Sequence, residues 1–182
     1  MSKLLRRAIK ISVWPAMLMI AGKFIGIFVV SHLSGHAVNI DNQTDGIFSI
    51  QIFFTDPETT RFVNSYSNLI MLLFVAIPTF VQIIKTTLYQ TTFQDPRTIV
   101  KLTKLNLLSW VTRDNTSILH IFIWNSFLIV TSALIIGETL RGNCYEWVGI
   151  LAIGISLLSI LFTIQVFERE VSRAYPRSQH YF

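Results

Sequence analysis

Residues 11–30, ISVWPAMLMIAGKFIGIFVV, carry a single charge, Lys23. A hydrocarbon core about 30 Å thick is crossed by roughly 20 mostly apolar residues rising 1.5 Å each. The stretch therefore reads as a transmembrane helix, here taken as 11–31. Three more apolar runs follow at 64–84, 117–136 and 147–166. The composition agrees: 52% of the residues are hydrophobic and 14% are charged, whereas a soluble domain carries about 25% charged residues. The chain is expected to be an all-α membrane protein, a four-transmembrane-helix bundle forming one integral membrane domain over 1–182. Its one cysteine, Cys144, excludes an internal disulfide.

The distribution of charge predicts the threading. Residues 1–10 hold Lys3, Arg6, Arg7 and Lys10 and no acid. A cleaved signal peptide begins in the same way, but its apolar core is short, 7–15 residues, and uncharged, so the first span is expected to stay as an anchor. Lys/Arg-rich flanks remain in the cytoplasm. Outside Lys23, twelve Lys/Arg fall in 1–10, 85–116 and 167–182, while Arg61 and Arg141 alone fall in the other connections. This bias predicts a plasma (cytoplasmic) membrane protein with both termini cytoplasmic, an exterior loop at 32–62, a cytoplasmic loop at 85–116 and a cytoplasmic tail at 167–182.

Helical periodicity sorts the faces of each span. At 100° per residue, Ser12, Pro15, Ala16, Met19, Gly22, Lys23 and Gly26 share one third of the first helix. Val13, Trp14, Met17, Ile20, Phe24, Ile25, Ile27 and Phe28 take the remainder, expected to face lipid. In lipid, small residues hold helices together by letting backbones approach closely, so Gly22 and Gly26 are candidate packing positions. The fourth span shows the narrowest such seam, with Gly149, Ala152, Ser156 and Ser159 on one side. The second span carries a stripe of Asn64, Asn68, Thr79 and Gln82, and the third groups Asn125, Ser126, Ser132 and Ala133.

The connections suggest two accessory elements. Val38–Ile40 and Ile47–Phe54 flank the turn-rich DNQTDG and read as a small exterior β-hairpin capping the bundle. Asp95-Pro96 is an N-cap followed by proline at the first helical position. Behind it, RTIVKLTKLNLLSWV reads as a cytoplasmic amphipathic helix of about 15 residues lying in the headgroup layer, with Trp110 at the interface.

Lys23 is the sharpest chemical feature, because a charge inside a span is costly and usually faces the bundle interior. One reading makes it a cation for an anionic solute, with Asn68, Gln82 and Asn125 completing a polar path; no acid lies in the nominal spans to neutralise it. The other makes it a lysine that snorkels outward or is hydrogen-bonded for structure alone. His32 and His36 have the spacing of two ligands on one helix face but lack a third, and His36 with Asp41 forms only a loose general-base pair. Asn42-Gln-Thr44 is a glycosylation acceptor. The sequence has no phosphate-binding glycine loop, no Gly-x-Ser-x-Gly and no paired CxxC.

The resulting expectation is a non-enzymatic membrane protein without cofactor or metal. It would act by helix association as an accessory, assembly or regulatory subunit, packing against itself or another membrane protein. Anionic lipid headgroups would meet its basic cytoplasmic loop, and nucleic acid would have no role. The alternative is a small oligomeric transporter or channel for an anionic solute using Lys23.

Overall fold

A computed structural model describes residues 3–35, 39–41, 51–53, 56–92, 96–105, 107 and 118–178. Four long helices dominate it: α1 (Lys3–Ser34), α2 (Pro57–Thr92), α4 (Ile118–Leu140) and α5 (Glu146–Ser178). Between α2 and α4 lies the short α3 (Pro96–Lys104). All four long helices are long and apolar enough to cross a membrane, and the architecture is that of a multi-pass membrane protein.

The helices outrun the apolar segments that announce them. α2 has 36 residues, about 54 Å at 1.5 Å each. It begins seven residues before the expected span because Asp56 caps it: the Thr59 backbone N–H and hydroxyl both donate to Asp56 Oδ2, at 3.2 and 3.1 Å. Pro57 occupies the first helical position, where its missing N–H does no harm. α5 likewise continues through the first part of the expected tail, to Ser178. α4 ends on Gly142, whose φ of 78° lets Gly142 N bond to Thr139 O and Asn143 N bond to Glu138 O, both at 3.0 Å. These paired bonds satisfy carbonyls that a helix end leaves open.

The central element is α2, which packs against α1, α4 and α5; α1 also touches α4, and α4 pairs with α5. The main core joins Leu72, Val75 and Ala76 of α2 to Leu128 and Ile135 of α4 and to Val148 and Ala152 of α5. Cys144, free and fully buried, belongs to it. A second cluster, Ile27 and Val30 with Val63, fastens the end of α1 to the start of α2. Ile27, expected on the lipid side of α1, is thus a packing residue. The rest of that side behaves as expected, Trp14 being 66% and Phe28 64% exposed.

The two accessory elements are described only in part. Among the described residues the two arms pair antiparallel at three positions, Asn39 with Phe53, Ile40 with Ile52 and Asp41 with Gln51. This ladder has no substantial packing on any helix among the described residues, so an exterior hairpin capping the bundle is not supported. The expected 15-residue amphipathic helix is also not supported. α3 has nine residues and ends at Lys104. Leu102 is its buried contact, while Ile99 and Val100 are exposed. His36, Asn42, Asp45, Trp110 and Asn115 lie outside the described residues, as do the side chains of the β-ladder, Asp41 included.

Candidate functional site

Two glycines set the geometry around Lys23. A Cβ on Gly26 would lie 2.8 Å from Ser67 Cα and 2.9 Å from Ser67 O; one on Gly22 would lie 2.9 Å from Phe74 Cβ and 3.1 Å from Met71 Cα. At both positions α1 therefore approaches the α2 backbone as only glycine allows. The close approach brings the Lys23 ammonium among the polar side chains at the start of α2.

Lys23 Nζ donates to Asn64 Oδ1 at 2.6 Å, Ser67 Oγ at 3.0 Å and Asn68 Oδ1 at 2.6 Å. An ammonium has three hydrogens, and all three are engaged. The charge is answered one residue further on. Asn64 Nδ2 donates to Glu138 Oε2 at 3.5 Å and to the Asn143 carbonyl at 3.4 Å, while Asn143 Nδ2 reaches the same Glu138 oxygen at 3.1 Å. Lys23 and Glu138 are thus linked through the Asn64 amide, which accepts from the cation and donates to the anion. Arg141 adds a 3.7 Å contact to Glu138.

Neighbouring groups hold this cluster in place. Ser65 Oγ donates to Arg61 O at 2.7 Å and accepts from Tyr145 N at 2.8 Å, tying the first turns of α2 to the α4–α5 connection. The Arg61 guanidinium lies 5.0 Å from the centre of the Tyr145 ring. Tyr66 meets Phe62 and Trp147, with ring centroids 4.6 and 6.0 Å apart. Aromatic residues of this kind gather where a membrane meets water. Lys23 therefore extends from within the first span toward the end of the bundle marked by these rings. Asn68 Nδ2 is buried and without a hydrogen-bond partner among the described residues.

The expected polar path is divided by the fold. Lys23 and Asn68 meet. Asn125 instead accepts from Ser159 Oγ at 2.7 Å. Gln82 is 14 residues beyond Asn68, about 21 Å along α2, with Oε1 buried and unpartnered among the described residues. Of the candidate packing residues of the fourth span, Gly149, Ser156 and Ser159 meet α4, and Ala152 lies in the main core among residues of α2 and α4. A Cβ on Gly149 would meet Thr139 Oγ1 at 2.9 Å, Ala152 is fully buried, and Ser156 Oγ donates to Ser132 Oγ. His32 is exposed near the end of α1. Among the described residues no three His, Cys, Asp or Glu side chains converge.

The sequence alone does not single out Ser67, Glu138 or Asn143. The apolar run stops at 136, which puts Glu138 in the connection, yet α4 continues to Leu140.

The Asn125–Ser159 bond should be worth about 0.6 kcal/mol, with an upper range near 1.7 kcal/mol, as for other interhelical side-chain bonds in membranes. A double-mutant cycle of Asn125→Ala and Ser159→Ala, read by reversible unfolding in bicelles, should return that coupling. A coupling near zero would reduce the pair to spatial proximity.

The chain matches no protein-family model, no curated protein and no solved structure.

Proposed function

We propose that this chain is a non-enzymatic multi-pass protein of the cytoplasmic membrane that acts by association, as an accessory, assembly or regulatory subunit of a membrane complex. The observation supporting this reading is the fully engaged ammonium of Lys23. With its three hydrogens on Asn64, Ser67 and Asn68 and its charge answered by Glu138, the lysine acts as a clamp between helices. The small-residue seams close within the chain, against α2 and α4, so a partner would meet the outer faces. The outer side of α1, with Trp14, Met17, Phe24 and Phe28 exposed, is the face proposed for that contact. Both termini and α3 lie in the cytoplasm in this reading, with Arg97 and Lys104 near anionic headgroups.

A photo-crosslinking residue placed at Phe28, in native membranes, should give a discrete protein adduct, whereas the same residue at Phe162 should give a different pattern. Lipid adducts alone at both positions would overturn association through α1. Accessibility labelling should place Asp45→Cys and Thr103→Cys on opposite sides of the membrane; labelling from the same side would overturn the threading.

A transport reading draws on Asn68 Nδ2 and Gln82 Oε1, two buried polar groups without partners among the described residues. It requires anion flux through purified chain in liposomes that Lys23→Met abolishes. The association reading requires that no such flux occurs.

A further inference from the structure

The second halves of α2 and α5 leave a groove between them enclosing about 350 Å³. Phe80 and Phe162 meet edge to face at one end, their centroids 6.4 Å apart. Ile83, Ile84 and Val166 form the walls, and Thr87, Gln165 and Arg169 stand toward the opposite end. From Phe162 to Arg169 the groove follows seven residues of α5, about 10 Å. Its lining reaches the outer surface: Ile84 is 54% and Phe162 40% exposed.

The position along the helix decides what meets this opening. Arg169 is 22 residues from Trp147, about 33 Å along α5, and a hydrocarbon core is about 30 Å thick. With Trp147 at one interface, Arg169 reaches the other. The apolar part of the groove is then at acyl-chain depth and the cation is at phosphate depth. Glu170, next to Arg169 in sequence, accepts from Gln90 Nε2 at 3.1 Å on α2. Arg169 itself has no ion-pair partner among the described residues. A guanidinium is suited to a phosphate, which it can engage with two parallel N–H bonds.

We infer that this groove is a binding site for a single phospholipid, with one acyl chain between α2 and α5 and the phosphate on Arg169. The site stands on observations separate from the Lys23 cluster and does not depend on the association reading. It requires both the cavity and the cation: the apolar walls select a hydrocarbon chain, and Arg169 distinguishes a phosphate-bearing lipid from a neutral one with the same chains.

Native mass spectrometry of the full chain in mild detergent, titrated separately with phosphatidylglycerol and with diacylglycerol, tests the inference. The expected result is one retained phosphatidylglycerol and weaker retention of diacylglycerol. Arg169→Ala should lower phosphatidylglycerol retention about fivefold, the effect of one basic residue near a membrane phosphate, and Arg169→Lys should recover part of it. Ile84→Trp, which fills the groove from a surface position, should remove binding of both lipids. Equal phosphatidylglycerol retention in wild type and Arg169→Ala, or retention unchanged by Ile84→Trp, would overturn the site. So would dimers of the chain replacing lipid adducts. Since Arg169 and Ile84 are both exposed, an unchanged melting temperature will separate lost binding from lost folding.

Discussion

Gly26→Ala should destabilise the protein by about 2 to 3 kcal/mol, the upper part of the range for forcing extra atoms into a packed contact. The added Cβ would lie 2.8 Å from Ser67 Cα and 2.9 Å from Ser67 O. These are backbone atoms of a helix and cannot rotate aside, so α1 must withdraw. Its withdrawal also lengthens the bonds from Lys23 to Asn64, Ser67 and Asn68, because Lys23 is carried on the same helix. Gly154 provides the control, since a Cβ there would have nothing within 4 Å of it. Gly154→Ala should be neutral or stabilise by roughly 0.5–1 kcal/mol through the better helix propensity of alanine. Reversible unfolding of both variants in the same bicelles measures the contrast. Equal stability would mean that α1 is not seated on α2 at Ser67.

Lys23→Met should cost about 2 to 3 kcal/mol. The substitution keeps a long apolar stem and removes the ammonium. Asn64 Oδ1 and Asn68 Oδ1 then lose their donor, and an unmet buried polar group costs roughly 1–3 kcal/mol. Glu138 also loses the inner of its two cations, keeping Arg141; because the Glu138 side chain is 32% exposed, its share falls below the roughly 3–5 kcal/mol seen when a fully buried pair is broken. Adding Glu138→Gln to Lys23→Met should recover part of the loss, since it removes a carboxylate otherwise left with only the exposed Arg141 as its cation. A double-mutant cycle isolates that coupling. A lysine held ready for a solute predicts the reverse: unchanged stability, a changed solute response and no coupling to Glu138.

Much of this cluster is legible one residue at a time. Asn64 and Asn68 fall on a single stripe of the second span, and Lys23 sits between two glycines on the first. Asp56-Pro57 is the same helix-starting dipeptide as Asp95-Pro96, and it marks the true start of α2 well before the apolar run begins. Glu138 is hidden for a related reason. Hydropathy reports where a chain is greasy, whereas a helix continues until its backbone bonds are capped, and α4 is capped by Gly142 and Asn143. The loops are less legible. The partial alternation in 47–54 suggests a full hairpin, and the apolar spacing after Pro96 suggests a longer helix. Neither pattern includes the tertiary support that decides how far a strand or a short helix extends.

What the sequence determined by itself was the presence of four membrane-crossing helices and the small or polar edge on each, because apolar length and helical period are local properties. Only the tertiary structure decided which edges meet and at what height. α1 lies on α2 through Gly22 and Gly26, and α5 lies on α4 through Gly149 and Ser156. Rotation and sliding of one helix against another leave its own period unchanged. They are chosen by close packing and by hydrogen bonds between distant residues, which is why Lys23 found Asn64 and, through it, Glu138.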